Sequence, residues 1–145
     1  MSQEANLREF STIAALILKA AFSDFPVGRD LDFNQIAQSM GLADIEATLE
    51  SGRLFSSVAA HTLKWLIDNK YVRAAGVLPR DRVTITDKGL AAMTNRVPSS
   101  GITFSDQIEE ATKSVDTTEG RQRIAEVLGS FFGSAVSSFT KAMSS

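Results

Sequence analysis

His61 is the only histidine in the 145 residues, and there is no cysteine to accompany it. Disulfides, thiolate nucleophiles and cysteine-based zinc sites are therefore excluded. A metal site on His61 would lack a second imidazole, and the acids do not cluster near it in the sequence. A Ser-His-Asp hydrolase would need this same ring, and no G-x-S-x-G elbow occurs. The phosphate-cradling patterns G-x-G-x-x-G and G-x-x-x-x-G-K-[ST] are absent. Glu109-Glu110 and Asp30/Asp32 are paired acids that nothing places in a cleft, so both are expected on solvated surface. No catalytic residue, metal or cofactor is expected, and the chain is not read as an enzyme. What remains is a group of cations and small polar residues suited to nucleic acid: Arg53, Ser56, Ser57, His61 and Lys64 on one helix and its lead-in, then Arg80 and Arg82. Lys64 and the arginines suit phosphate, with an affinity that falls as salt rises. Ser57 and His61 can face base edges. The bland alternative for His61 is a solvated helix flank.

The charge distribution agrees with this grouping. The whole chain carries −2. Residues 1–52 hold three Lys/Arg against eight Asp/Glu, net −5. Residues 53–98 hold eight against three, net +5, and residues 99–145 hold four against six, net −2. A local basic patch is what phosphate contact needs. A moderate fluctuation of surface charge is the competing reading.

The stretch from Ser56 to Leu90 must position these residues. Val58, Ala59, Thr62, Leu63, Leu66 and Ile67 fall on one helical face, while His61, Lys64 and Asp68 fall on others. Asn69-Lys70 suits a helix stop, since Asn tolerates the left-handed conformation. Tyr71-Val72-Arg73 begins an extended run, Gly76 to Asp81 reads as a hairpin tip carrying Arg80, and Arg82-Val83-Thr84-Ile85 resumes the alternation. Thr86 is placed to cap a helix from Asp87. Trp65 is expected in the core or against the sheet rather than as a base-stacking platform.

The pattern T-L-x-W-L-x-x-x-x-Y-V-R … R-V-T-I-T-D-K-G-L resembles the winged helix-turn-helix superfamily. The residues that carry the resemblance are Leu63, Trp65, Leu66, Tyr71, Val72, Val83, Thr84, Thr86, Lys88 and Gly89, and it covers about residues 5–96. It implies a recognition helix followed by a two-stranded wing. Members of this fold bind DNA, RNA or other proteins.

The rest of the chain fits around that stretch. Residues 5–22 read as a central helix with a wide apolar stripe from Leu7 to Phe22, ended by Pro26. Val27–Asp32 can hold a third strand for the wing sheet. Asp32 or Asn34 begins a short second helix, stopped by Gly41. Leu42 to Phe55 then intervene where a compact helix-turn-helix has three or four residues. Within this insert ADIEATLE is acidic and helical in pattern. GLAAMTNRV continues the helix after the wing, and PSSGITFSD has the composition of a linker. Thr103 or Ser105 can cap the helix that follows, and Thr117/Thr118 marks another start. The last segment carries an apolar stripe that includes Leu128, Phe131, Phe132, Ala135 and Phe139. It is read either as packing on its own chain or as an oligomer interface, with peripheral membrane association a minor alternative.

The expected architecture is thus mainly α with a small antiparallel β-wing: a winged helix-turn-helix plus a C-terminal helical appendage. The expected division is a winged-helix domain at 1–97, a linker and short helix at 98–118, and an amphipathic C-terminal helix at 119–145. The expected function is a DNA-binding transcriptional regulator acting as a homodimer on double-stranded DNA. The alternative is a protein-interaction module that uses the C-terminal helix without nucleic acid. No signal peptide or apolar run of membrane-spanning length is visible, so no integral membrane association and a cytoplasmic location are expected.

Overall fold

The computed structural model describes residues 2–77, 80–98 and 100–133, with the backbone alone for residues 2–4, 75–77 and 80–81. Helix α1 spans Ser2–Ser23 and supplies the centre of the core. Ile13, Ala14, Ile17, Leu18 and Ala21 recur at helical spacing and are fully buried. Strand β1 (Arg29–Asp30) follows, then α2 (Phe33–Ser39). The Asp32 carboxylate caps α2 by accepting from the Asn34 amide at 3.0 Å, and Gly41 stands at φ +83° just beyond its end. There a side chain would strain the backbone.

Helix α3 (Phe55–Asp68) buries Phe55, Val58, Ala59, Thr62, Leu63 and Leu66. It stops at Asn69, but the left-handed residue is Lys70, at φ +69°. Asn69 instead turns its side-chain amide back onto the Trp65 carbonyl at 2.9 Å. Strands β2 (Val72–Val77) and β3 (Arg80–Ile85) form a hairpin, and β1 joins on the far side, giving the antiparallel order β1-β3-β2. The ladder runs from Val72 opposite Ile85 out to Val77 opposite Arg80. Pairing therefore continues through residues expected to form the tip, whose centre, Leu78-Pro79, lies outside the described residues. Among the described residues the chain is mainly helical with one small three-stranded antiparallel sheet.

Helix α4 (Asp87–Thr94) starts at Thr86, whose hydroxyl accepts from the Gly89 amide at 3.1 Å and donates to the Lys70 and Tyr71 carbonyls. Gly89 lies hard against Tyr71: a β-carbon there would run into the Tyr71 carbonyl and come within 2.7 Å of Ile85 Cγ1.

Residues 42–54 of the insert, where ADIEATLE has a helical pattern, hold no helix. Asp44 uses its carboxylate to accept from the Glu46 amide at 2.9 Å, a local bond that competes with helix formation. Thr48 and Leu54 then bridge around Gly52, and Leu49 is buried as an anchor. The segment 98–118, expected as a linker and short helix, does hold a short helix and is tied back to Arg96. Arg96 bridges Thr103, Thr103 caps α5 (Phe104–Ala111), and Phe104, Ile108 and Ala111 are buried. A short 3₁₀ turn, Thr112–Ser114, leads to α6 (Thr118–Gly133), capped by the Thr117 hydroxyl on the Gly120 amide at 2.9 Å.

Leu128, Phe131 and Phe132 are buried in their own chain, at 0%, 4% and 0% exposure. Over the described residues these side chains therefore pack on their own chain, which is one of the two readings the sequence left open. Phe132 lies 4.9 Å from Trp65 and 5.2 Å from Tyr71 between ring centroids, and Phe131 meets Phe104 edge-to-face at 5.3 Å. Ala135 and Phe139 lie outside the described residues. One hydrophobic cluster runs from Ile13 on α1 to Phe132 on α6, so the appendage expected at 119–145 shares the core of residues 1–97 as far as it is described.

Candidate nucleic-acid interface

Burying Val58, Thr62 and Leu66 turns the opposite side of α3 to solvent. Ser57, His61 and Lys64 are exposed there and Ser56 is half-buried. The His61 Nδ1–H donates to the Ser57 carbonyl at 2.8 Å. A carbonyl can only accept, so Nδ1 carries a proton and Nε2 is the ring nitrogen left for another partner.

The cations chosen from the sequence are mostly engaged. Arg53 donates to the Asn6 side chain at 2.8 Å and stands 3.6 Å from Glu9, which is buried and also accepts from the Ser51 amide and hydroxyl at 2.8 and 2.7 Å. Arg53 thus ties the insert to the first turns of α1, with Arg8 holding Glu50 at 2.8 Å alongside. Lys64 pairs with Asp68 one turn on, at 2.8 Å. Arg82 reaches across the sheet to Asp30 at 3.4 Å and donates to the Val27 carbonyl at 3.1 Å. The Arg80 side chain lies outside the described residues. Exposed ion pairs such as those of Lys64 and Arg82 are worth only about 0–1 kcal/mol, so phosphate can compete for them. Arg53 is different, because releasing it would leave a buried carboxylate without its cation.

The fold brings Arg53, Ser57 and His61 together along a groove of about 330 Å³ between α1 and α3, floored by Phe10, Val58 and Trp65. Lys64 and Arg82 are not part of that groove. A second, shallower cleft of about 470 Å³ lies at the base of the sheet, where α3 ends, β2 begins and α4 begins. Its cations are Lys70, Arg73 and Lys88, all exposed. Lys88 donates to the Asn69 carbonyl at 2.9 Å and stands 4.4 Å above the Tyr71 ring. The net +5 of residues 53–98 was the only sequence signal for this cleft. Its three cations come from a turn, a strand and a helix, and only folding makes them neighbours.

Among the described residues no group of three or more His, Asp or Glu could hold a metal ion. No described helix is long and apolar enough to cross a membrane. Neither a protein-family model, nor a curated protein, nor a solved structure matches the chain.

Proposed function

We propose that this chain is a DNA-binding winged-helix protein, a transcriptional regulator acting in the cytoplasm. The observation that carries the reading is the order of parts around α3. A helix with Ser57, His61 and Lys64 on its solvent side runs straight into an antiparallel hairpin, and a third strand closes the hairpin's other edge. In this reading α3 is the recognition helix and β2-β3 the wing. Lys64 and Arg82 exchange their weak carboxylate partners for phosphate, and Ser57 and His61 meet base edges. Self-association through α6 is not part of the proposal, because Leu128, Phe131 and Phe132 are used within the chain. The same burial counts against a protein-interaction module built on that stripe.

Fluorescence polarisation with a labelled random-sequence duplex at low salt tests the proposal. Saturable binding is expected in the range of roughly 1–100 µM, typical of non-specific contact. No binding across that range would overturn it. After selection of a preferred sequence, Ser57→Ala and His61→Ala are expected to narrow the difference between preferred and random duplex, with little effect on the random duplex itself.

A further inference from the structure

We propose that the cleft formed by Lys70, Arg73 and Lys88 is the main phosphate-backbone contact of the molecule, so that duplex DNA approaches the C-terminal end of α3 and the base of the sheet. This rests on the DNA-binding reading above and relocates where the backbone is held.

Charge bookkeeping points there first. Of the cations in the basic stretch 53–98, Arg53 faces Glu9, Lys64 faces Asp68 and Arg82 faces Asp30. Arg96 donates to the Gly101 carbonyl at 2.6 Å. The Lys70 and Arg73 side chains have no ion-pair or hydrogen-bond partner among the described residues. Lys88 makes one backbone hydrogen bond and keeps two of its three ammonium protons for another acceptor. The cleft's one carboxylate is Asp87. Three cations against one carboxylate leave the local balance positive, whereas the Lys64 and Arg82 pairs are each neutral.

Backbone conformation points the same way. Lys70 is the one non-glycine residue with positive φ among the described residues, at +69°. A side chain in that conformation costs about 1–2 kcal/mol, which glycine would avoid. A long cation occupies the position instead and lines the same cleft as Arg73 and Lys88.

The opposite end of α3 argues against the alternative approach. The insert that leads into α3 holds Asp44, Glu46 and Glu50, all exposed, and of these only Glu50 has a described cation partner. Phosphate brought to the N-terminal end of α3 would meet that negative charge. Phosphate at the C-terminal end meets Lys70 and Arg73. The cleft is open and shallow, as contact with successive phosphates of a strand requires. Ile67 and Val72 line it without supplying a hydrogen-bonding side chain, which fits a contact that positions the backbone without reading sequence.

The test compares the full chain with K70Q/R73Q and K70Q/R73Q/K88Q by polarisation on one random duplex, over a series of salt concentrations. The double variant leaves the Lys88 contacts to Asn69 and Tyr71 intact, and circular dichroism and melting confirm that each variant is folded. Each phosphate neutralised contributes about 0.9 to the slope of log K against log salt. The expected slope therefore shrinks by about 1.8 in the double variant and about 2.7 in the triple, while K64Q/R82Q loses less than the double. A folded double variant with wild-type affinity and slope overturns this inference and leaves the DNA-binding reading standing, as would a K64Q/R82Q loss that exceeds the double variant's. Failure of the wild-type chain to bind duplex overturns both. Tighter binding to a single-stranded oligonucleotide of equal length, lost in K70Q/R73Q, overturns the assignment to duplex.

Discussion

At the scale of single residues, Tyr71 joins the sheet to the aromatic core. It is 1% exposed, stacks on Trp65 at 6.2 Å between centroids and lies under the Lys88 ammonium. Burial raises its hydroxyl above the ordinary value of 10.0. A raised acid favours its protonated form in the fold, so the resulting stability is present below pH 10 and is lost as pH climbs through the folded value. Wild-type chain should therefore lose stability more steeply than Tyr71→Phe between pH 9 and 11, followed by urea midpoints; parallel curves would count against this. Gly89 answers a different need. It allows α4 to start against the Tyr71 carbonyl, and backbone cannot give way as a side-chain tip can. Gly89→Ala is expected to cost about 1–3 kcal/mol in chemical denaturation, and a neutral result would contradict the packing described. Both residues stood out in the sequence as parts of a recurring pattern. The reason for the glycine did not, because it lies in a contact between a helix and the end of a strand.

Among the elements, those written in local chemistry were legible. Asp32, Thr86 and Thr103 announce their helices by the capping hydroxyl or carboxylate that folding then uses. The alternation in 82–85 announced a strand whose Val83 and Ile85 are both buried. Elements that depend on partners were misread. The insert has helical spacing, but Leu49, Glu50, Ser51 and Arg53 are claimed by the core and by α1. The stripe on α6 was equally compatible with packing in cis or in trans, since periodicity reports an apolar face and not what covers it. Phe132→Ala should cost about 3–5 kcal/mol, read by denaturant titration. The midpoint is expected not to move with protein concentration, as it would if α6 closed a dimer whose dissociation accompanied unfolding. A concentration-dependent midpoint would restore the trans reading.

Across the whole molecule, charge and shape divide along α3. The insert that leads into it is held against α1, Ser51 and Arg53 meeting Glu9. The end of α3 opens onto Lys70, Arg73 and Lys88. The sequence located the basic third of the chain but put its working end at Lys64, Arg80 and Arg82. Ion pairing weighs against two of those cations: Lys64 faces Asp68 and Arg82 faces Asp30, which is 52 residues away in sequence. No local pattern carries that pairing. The net charge of −2 does not prevent phosphate binding, because the field near a surface follows local charge within a Debye length of about 10 Å at 0.1 M salt.

If localised cations hold nucleic-acid phosphate as proposed, duplex binding by the unaltered chain weakens as salt rises. A linear fall of log K with log salt is expected, with a slope of about −2.7 or steeper. Undetectable duplex binding at low salt, or binding whose strength is indifferent to salt, would contradict it.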